Sequence, residues 1–593
     1  MKLKHLYMLG AVALMTASCN EDRFLDLKPQ GSLNEDIMTS TEGADLLVNA
    51  AYAALGGPEG QSWSVWCHPT SNWTYGEVRS DNAYKGGGGV GDLNEVHRME
   101  TFDMDATNGF LDSKWYHLYC SVQRCNSALR VLNAATDEQV NGRVSRIAEM
   151  KVLRAHYYFE LSRLFNKIPY FDENVEISQY PDIPNNEFTR DEILSMLAKE
   201  MLDAAEQLPA SQPEVGRIHK YIALAYAAKI KLYQAYQQDE ITHAVTSINK
   251  ELLREVVSLC DQVTASNRYG LLDDFQGLDL VTNENGKESV FAIQYSMNDG
   301  TESAGRINWS NLLNSPGGGP YGGDGFFLPS QDLINAYQTD ANGLPDFNYQ
   351  SKSDYSWAVL NNGVYTLQNT TPNVDPRLDF VVGRPTITWK TYPDKPCEGW
   401  VRDKDTYGYN CAKRFWVSPE SSDMFNGWPW GASQLNWQII RYADILLWKA
   451  EALIELNEGN GLETARDLIN QIRNRARNSA YVKDFNDHSK YAANYLVNPY
   501  PADVWNQDYA RQALRWETRL EKALEGERFF DLVRWGIVET TMNNYITAES
   551  DNRIYYANAH FTGGKDEYYP VPNNQYGFSG GKYVQNPGYA PFN

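Results

Sequence analysis

Cysteine and histidine are scarce in this chain, with seven and nine copies among 593 residues. No two cysteines form a CxxC pair, and neither residue type shows the spacing of zinc ligands. This argues against a metal- or disulfide-stapled framework, and no metal site is expected. Cys120, Cys125 and Cys260 lie in helical patterns and are predicted to be small core residues. A bridge between Cys397 and Cys411 across a loop stays open.

Several motifs of catalytic or cofactor sites are also missing. The chain has no HExxH zinc motif and no Walker phosphate loop. Gly86-Gly87-Gly88-Gly89 follows Lys85 in a predicted loop, without the strand and helix that a phosphate cradle requires. Residues 283–286 resemble part of a calcium loop, but Val281 occupies the place of the first acidic ligand. We therefore expect no cofactor and no enzymatic activity.

Positive charge is in short supply. The chain has 53 Lys and Arg against 76 Asp and Glu, a formal net charge of −23. A polyphosphate would be repelled at long range, so no nucleic-acid partner is expected and neutral ligands fit better. Beyond the N-terminus, no segment is apolar enough to cross a bilayer.

The N-terminus has the pattern of a signal peptide. Lys2 and Lys4 precede an apolar run over residues 6–15, and small residues follow up to position 18. The run is shorter than the roughly 20 residues that a spanning helix needs. Residues 1–18 are therefore predicted to be a signal peptide that is removed.

Cys19 directly follows the small residues and resembles the lipid-bearing cysteine of bacterial lipoproteins, with Thr16 where that pattern usually has Leu. Asn20-Glu21-Asp22 comes next and resembles the surface-export signal of Bacteroides-type lipoproteins. The expected location is the outer membrane, with the protein lipid-anchored through Cys19 and exposed at the cell surface.

Two helical regions flank an irregular one. Apolar residues recur at helical spacing over residues 43–55, 112–134, 141–166, 190–207, 217–237 and 249–266, and again over 441–457, 461–477, 509–525 and 526–546. Between them, residues 270–440 are rich in Gly, Pro, Asn and aromatics, with short strand-like runs. We predict a mainly α single body over residues 19–593. It has a tetratricopeptide-like scaffold of helical hairpins (about 43–266 and 441–546), an irregular lobe (about 270–440) and a wrapping tail (552–593).

A series of short motifs runs along nearly the whole mature chain. They are Phe24-Leu25-Asp26-Leu27-Lys28-Pro29, Leu153-Arg154-Ala155-His156-Tyr157-Tyr158-Phe159-Glu160-Leu161, Glu288-Ser289-Val290-Phe291, Asp375-Pro376-Arg377-Leu378, Arg441-Tyr442-Ala443-Asp444-Ile445-Leu446-Leu447, Glu525-Gly526-Glu527-Arg528-Phe529-Phe530-Asp531-Leu532-Val533-Arg534-Trp535-Gly536 and Tyr569-Pro570-Val571-Pro572. In this order they resemble the SusD/RagB family, and the resemblance implies that the irregular lobe over about 270–440 is the ligand-binding lobe.

The resemblance implies a non-catalytic, surface glycan-binding lipoprotein. Such a protein captures oligo- or polysaccharide and delivers it to a SusC-like TonB-dependent transporter, its implied partner in the outer membrane. An oligopeptide-binding, RagB-like protein is the alternative. Two less favoured hypotheses are a helical-repeat scaffold that binds another protein and an unrecognised glycosidase.

Aromatic residues make up 13% of the chain, including 16 Trp and 38 Tyr. Those in loops beside hydrogen-bonding groups are the binding candidates, because sugar rings pack their C–H faces on aromatic rings. One cluster is Trp63, Trp66, Trp73, Tyr75, Arg79, Asp81, Asn82 and Tyr84, and a second, in the irregular lobe, is Tyr295, Asn308, Trp309, Tyr321 and Trp357. A third group, for which core, site and transporter-facing roles stay open, is Trp400, Trp416, Trp428, Trp430 and Trp437.

A charged array over residues 517–534 contains carboxylates near arginines, as a glycosidase pair would. Residues three and four apart on a helix meet in any case, and Arg528 with Asp531 has this spacing. Since the array coincides with the longest family motif, we predict a structural ion-pair network.

Overall fold

The computed structural model describes residues 39–592 apart from 58–64, 301–304, 357, 362–363, 368–371, 395 and 397. The helices in this part of the chain are α1 (Thr41–Ala53), α2 (Asn94–Glu100), α3 (Gly109–Ala134), α4 (Arg143–Phe165), α5 (Arg190–Gln207), α6 (Lys220–Ala235), α7 (Lys250–Ala265), α8 (Gln331–Ala336), α9 (Arg377–Val381), α10 (Lys404–Tyr407), α11 (Tyr442–Leu456), α12 (Gly461–Asn478), α13 (Gln507–Glu521), α14 (Arg528–Arg534), α15 (Val538–Glu549) and α16 (Asn573–Phe578). None of the described helices is long and apolar enough to cross a membrane.

The longer helices form a continuous array of neighbours. Helix α1 packs on α3, and α3 to α7 pack each on the next. The array then continues with α11, which packs on α7 although the irregular lobe separates the two in sequence, and α12 and α13 pack on α11. The predicted mainly α fold built from helical hairpins is confirmed.

Local sequence explains where many helices begin and end. At α5 the Thr189 hydroxyl accepts the backbone N–H of Glu192, and the Glu192 carboxylate accepts that of Thr189, as the capping box predicted. Helix α4 ends at Phe165, before Asn166 with φ of 58° and ahead of Pro169. The single helix predicted over residues 526–546 is wrong. It divides into α14 and α15, because Gly536 adopts φ of 67° between them.

The strands are short and pair two by two. They are β1 (Ala83–Gly86), β2 (Tyr236–Gln238), β3 (Val245–Ile248), β4 (Ser289–Ile293), β5 (Phe326–Pro329), β6 (Gln338–Thr339), β7 (Ala358–Asn361), β8 (Val364–Leu367), β9 (Asn373–Val374), β10 (Val382–Gly383), β11 (Cys411–Ala412) and β12 (Trp437–Arg441). Antiparallel β4 and β12 pair with Trp437 opposite Ile293 and Arg441 opposite Ser289. This pair connects the irregular lobe to the start of α11.

The segment around residues 71–79 packs directly on the turn before α14. A Cβ atom added at Gly76 would lie 1.9 Å from the carbonyl oxygen of Gly526. The Glu77 carboxylate accepts the backbone N–H groups of Gly526 at 2.9 Å and of Glu527 at 3.2 Å. Burial raises the pKa of Glu77 to about 7. Two glycines and a buried carboxylate therefore allow two distant segments to meet backbone to backbone.

The tail makes contacts with the helical body. The N–H of Tyr569 donates to the carbonyl of Leu164, and the Asn586 side chain donates to the carbonyl of Phe165. These bonds satisfy carbonyls at the C-terminal end of α4, which lack partners inside the helix.

Candidate functional site

The first predicted aromatic cluster lies in the interior. Trp73 is 2% exposed and packs on Phe326 and Phe327, with ring centroids 6.2 and 5.7 Å away. Tyr75 is 0% exposed, and its hydroxyl donates to the carbonyl of Cys67. The burial corrects the expectation that these rings face a ligand, because a sugar could not stack on them without unfolding the core around them.

The polar members of that cluster are buried as well. Arg79 lies 4.0 Å over the ring of Tyr569. The Asp81 carboxylate accepts two hydrogen bonds from Arg528, at 2.8 and 2.9 Å. Burial alone would raise the pKa of Asp81, but Arg519 and Arg528 lower it to about 2. These groups act in the scaffold.

Asn82 and Tyr84 complete this interior set. Asn82 donates to Glu77 at 2.9 Å, and the Tyr84 hydroxyl donates to Glu549 at 2.6 Å. The remaining described member, Trp66, is partly buried against the core. Trp63 lies outside the described residues.

Most of the second cluster is buried in the irregular lobe. Tyr295 is 9% exposed, and its hydroxyl lies 2.6 Å from Ser310 Oγ. Asn308 and Tyr321 are each 5% exposed. Trp309 is partly exposed, and Trp357 lies outside the described residues. Only Trp309 among the described members is placed to meet a ligand.

The third group divides between core and surface. Trp400, Trp416 and Trp437 are at most 4% exposed. Trp428 is 51% exposed and Trp430 is 48% exposed, the only tryptophans among the large exposed hydrophobic residues of the described chain. We call Trp309, Trp428 and Trp430 the tryptophan platform. A sequence signal for it was available, because Gly427-Trp428-Pro429-Trp430-Gly431 places two indoles among turn formers.

A short hairpin carries the two exposed indoles at its tip. The N–H of Phe425 donates to the carbonyl of Ala432, and Met424 pairs with Ser433 in an antiparallel bridge. At its base the Gln434 side chain donates to the Asp423 carboxylate at 2.7 Å. The tip is therefore held by main-chain and side-chain bonds before any ligand arrives.

Trp309 joins this hairpin from another part of the lobe. Its ring centroid lies 5.8 Å from that of Trp428, with the planes at 65°. The preceding residue, Asn308, fixes its position: the backbone N–H donates to Ser433 and the side chain donates to Leu435. Gly57, which leads towards the undescribed residues 58–64, lies next to Trp309, since a Cβ added there would be 3.8 Å from the Trp309 Cβ.

The charged array over residues 517–534 is a buried ion network, as expected. Glu517 and Glu521 are 0% exposed. Burial would raise the pKa of Glu521, but Arg475, Arg441 and Arg377 lower it to about 2. A general acid of a glycosidase requires the opposite shift and access to substrate. The predicted contact between Arg528 and Asp531 is wrong, because the Arg528 guanidinium forms its ion pair with Asp81.

Two short matches to catalytic motifs have structural roles. Contrary to expectation, the glycines after Lys85 do lie between a strand, β1, and a helix, α2. The Lys85 ammonium fills this loop by donating to the carbonyls of Gly86, Gly89 and Asp92, so no anion cradle is open. Residues 577–581 spell GxSxG, but Ser579 is buried and its hydroxyl donates to the carbonyl of Tyr576.

Two family models match the chain. The model described as "SusD family" matches residues 287–589, and one described as "Starch-binding associating with outer membrane" matches residues 23–232. The chain belongs to the SusD family. The resemblance seen in the sequence is thereby confirmed.

Other SusD-like proteins align along most of this chain. A "SusD-like protein" of Bacteroides ovatus is 22% identical, covering 89% of this chain and 82% of the relative. "SusD-like protein P2" of Formosa agariphila is 24% identical, covering 86% and 87%.

Solved structures of SusD-like proteins share the fold. A SusD superfamily protein from Bacteroides vulgatus has a TM-score of 0.67 at 20% identity, covering 93% of this chain and 99% of that one. The surface glycan-binding protein A of Bacteroides thetaiotaomicron, solved with laminarihexaose, has a TM-score of 0.61 at 19% identity, covering 92% and 99%.

Proposed function

We propose that this SusD-family protein is a surface glycan-binding lipoprotein that catalyses no reaction itself. The tryptophan platform holds an oligosaccharide or polysaccharide, and the protein delivers it to a SusC-like TonB-dependent transporter. The lipid on Cys19, which lies outside the described residues, anchors the protein to the outer membrane at the cell surface.

The half-exposed indoles of Trp428 and Trp430 are the observation that carries this proposal. Two half-exposed indoles at the tip of one hairpin leave apolar surface whose burial against a ligand is favourable. Each ring offers a flat apolar face of the kind that packs on the C–H face of a sugar. At about 0.5–1.5 kcal/mol for each stacking contact beyond burial, three rings give the modest affinity that capture and release require.

The solved relatives support a glycan as the ligand. One is described as a laminarin-binding SusD-like protein, and another was solved with laminarihexaose. The overall charge of −23 is compatible with an uncharged glycan. The family description "associating with outer membrane" supports the proposed location.

A binding screen tests the proposal. The soluble chain starting after Cys19 is run in affinity electrophoresis against a panel of polysaccharides, and calorimetry is done with the oligosaccharides and with mixed peptides. Retention by a polysaccharide without new reducing ends after long incubation is the expected result. Heat from peptides alone favours the oligopeptide-binding alternative, and release of reducing ends reveals a glycosidase.

The transporter partnership needs its own experiment. The tagged full-length lipoprotein is purified from detergent-solubilised outer membranes, and its partners are identified by mass spectrometry. A TonB-dependent transporter recovered in stoichiometric amount is expected, and its absence under conditions that preserve outer-membrane complexes contradicts the delivery step.

A further inference from the structure

A cleft lies in the irregular lobe, apart from the platform. It is a cleft of about 750 Å³ whose walls come from residues 272–287, 390–391 and 413–423, together with Phe380. None of the three platform tryptophans lines it. The volume is within the range of small-molecule sites, roughly 300–1,000 Å³.

Five carboxylates and four cations line this cleft. Asp279 accepts hydrogen bonds from the Lys390 ammonium and from the Arg414 guanidinium, each at 3.1 Å. The side chains of all three are at most 15% exposed. At the edge, Lys287 pairs with Asp273 at 2.9 Å. Lys413, the fourth cation of the lining, donates to two backbone carbonyls. Because all four cations already have partners, the cleft offers an anionic ligand little net attraction.

The remaining walls combine aliphatic surface with neutral polar groups. Leu280 is 51% exposed, and the neighbouring turn Val281–Asn283 buries no residue. Ser418, Ser421 and Thr391 add hydroxyl groups to the lining. Aliphatic patches next to donors and acceptors match the C–H faces and hydroxyls of an uncharged sugar.

A cluster of three tyrosines, one of them exposed, lies close in sequence to a segment that contacts the cleft wall. Tyr481, Tyr491 and Tyr495 form a cluster with ring centroids 5.2–6.2 Å apart, and Tyr491 is 53% exposed. The chain next to Tyr481 is bonded to the cleft wall, since the N–H of Ala480 donates to Asp274 and the Gln276 side chain donates to the Ala480 carbonyl. The tyrosine cluster therefore follows directly on a segment that is bonded to the cleft wall.

A single buried residue, Tyr321, connects the cleft with the platform. Its hydroxyl donates to the carbonyl of Val417 in the cleft wall at 2.7 Å. Its ring lies 3.1 Å from the Cβ position of Gly431, next to Trp430. The cleft wall and the hairpin that carries Trp430 therefore both contact the same tyrosine, which places the two surfaces in neighbouring parts of the lobe.

We propose that the cleft is a second carbohydrate-binding site, which takes a short uncharged saccharide segment independently of the tryptophan platform. The inference rests on the proposed function, because it takes the ligand to be a glycan. A polymer that engages both sites gains from the high effective concentration of its second segment. Long glycans should therefore bind more tightly than hexasaccharides of the same linkage.

Calorimetry and hydrogen–deuterium exchange test this on the soluble chain starting after Cys19. The probes are uncharged hexasaccharides (laminari-, malto-, cello-, xylo- and mannohexaose) and the corresponding polysaccharides. The variants are Val281→Arg and Leu280→Arg in the cleft, and Trp428→Ala with Trp430→Ala at the platform. Ile241→Arg is the control, because it also replaces an apolar side chain by Arg. Ile241 is 71% exposed on a loop of the scaffold.

We expect each cleft variant to lower polymer affinity by about tenfold or more while hexasaccharide binding at the platform persists. In the platform double variant, a hexasaccharide should still slow exchange in residues 272–283 and 413–423. The proposal is overturned if the cleft variants bind polymer like Ile241→Arg and the double variant shows no protection there. If the wild-type protein binds no glycan at all, the proposed glycan-binding function fails together with the second site. If it binds glycan but the cleft shows no effect, only the second site fails.

Discussion

The indole of Trp309 meets that of Trp428 nearly edge to face, at 5.8 Å and 65°. The two rings come from segments more than a hundred positions apart, and the bonds of Asn308 to residues 433 and 435 hold the segments together. The platform is therefore a product of the folded lobe and not of one loop.

Removing the exposed indoles should weaken glycan binding without affecting the fold. For Trp428→Ala and for Trp430→Ala we expect about a fivefold loss of affinity each, since one stacking contact contributes about 1 kcal/mol. Calorimetry with the glycan found in the screen measures this. Tyr116→Ala is the control, because Tyr116 is 52% exposed on α3. Equal affinities for the tryptophan variants and this control would contradict the platform assignment.

The bonds at the base of the hairpin should increase glycan affinity, because they order the tip before the ligand binds. Gln434→Ala removes the 2.7 Å bond to Asp423 and the acceptor of the Met297 backbone N–H, so the ligand must restore part of the order of the hairpin. We expect affinity to fall about threefold, with an unchanged melting temperature. Gln237→Ala is a matched control, because Gln237 accepts a bond from Ser247 in the β2–β3 hairpin. An affinity loss of the same size in the control would argue against a local effect.

The contact between Gly76 and Gly526 should not tolerate a side chain. In Gly76→Ala the new Cβ would lie 1.9 Å from the Gly526 carbonyl, so the backbones must separate. We expect the free energy of unfolding to fall by about 3–5 kcal/mol, measured by urea denaturation. Gly109→Ala is the control, since no atom beyond its chain neighbours and the backbone of its own helix lies within 4 Å of its Cβ position. Similar stabilities for the two variants would show that the interior accommodates the clash.

Glu521 should make stability depend on acid pH. Its folded pKa of about 2 lies below the unfolded value of about 4.3, so its contribution is complete above about pH 4.3 and is lost as pH falls towards 2. Glu521→Gln leaves Arg377, Arg441 and Arg475 without a shared carboxylate, and we expect a loss of about 3–5 kcal/mol at pH 7.

Urea denaturation between pH 2 and pH 7 measures both effects of Glu521→Gln. The variant should also show a shallower decline of stability below pH 4.3 than the wild type does. Glu138→Gln, at an exposed position, serves as the control. If the stability of Glu521→Gln falls below pH 4.3 as steeply as that of the control, groups other than Glu521 cause the acid sensitivity.

Local sequence patterns predicted the helices better than the site. The bounds of α5 follow from its apolar spacing and from the capping box of Thr189 and Glu192, which are both local features of the sequence. The first aromatic cluster was misplaced because its polar members find partners far along the chain. Asp81 binds Arg528, 447 positions away, and Tyr84 binds Glu549, 465 positions away. An aromatic segment has the same composition whether such partners bury it or leave it exposed.

The meeting of Glu77 with Gly526 has a consequence for biogenesis. The two residues are separated by 449 positions, so the interior around residues 71–79 lacks part of its wall until nearly the whole chain has been made. At roughly 5–20 residues per second, synthesis alone leaves this segment incomplete for on the order of a minute. During that time the rings and charged groups that the complete fold buries can form non-native contacts. A chain interrupted before residue 526 should therefore be a substrate for chaperones and proteases rather than a smaller working protein.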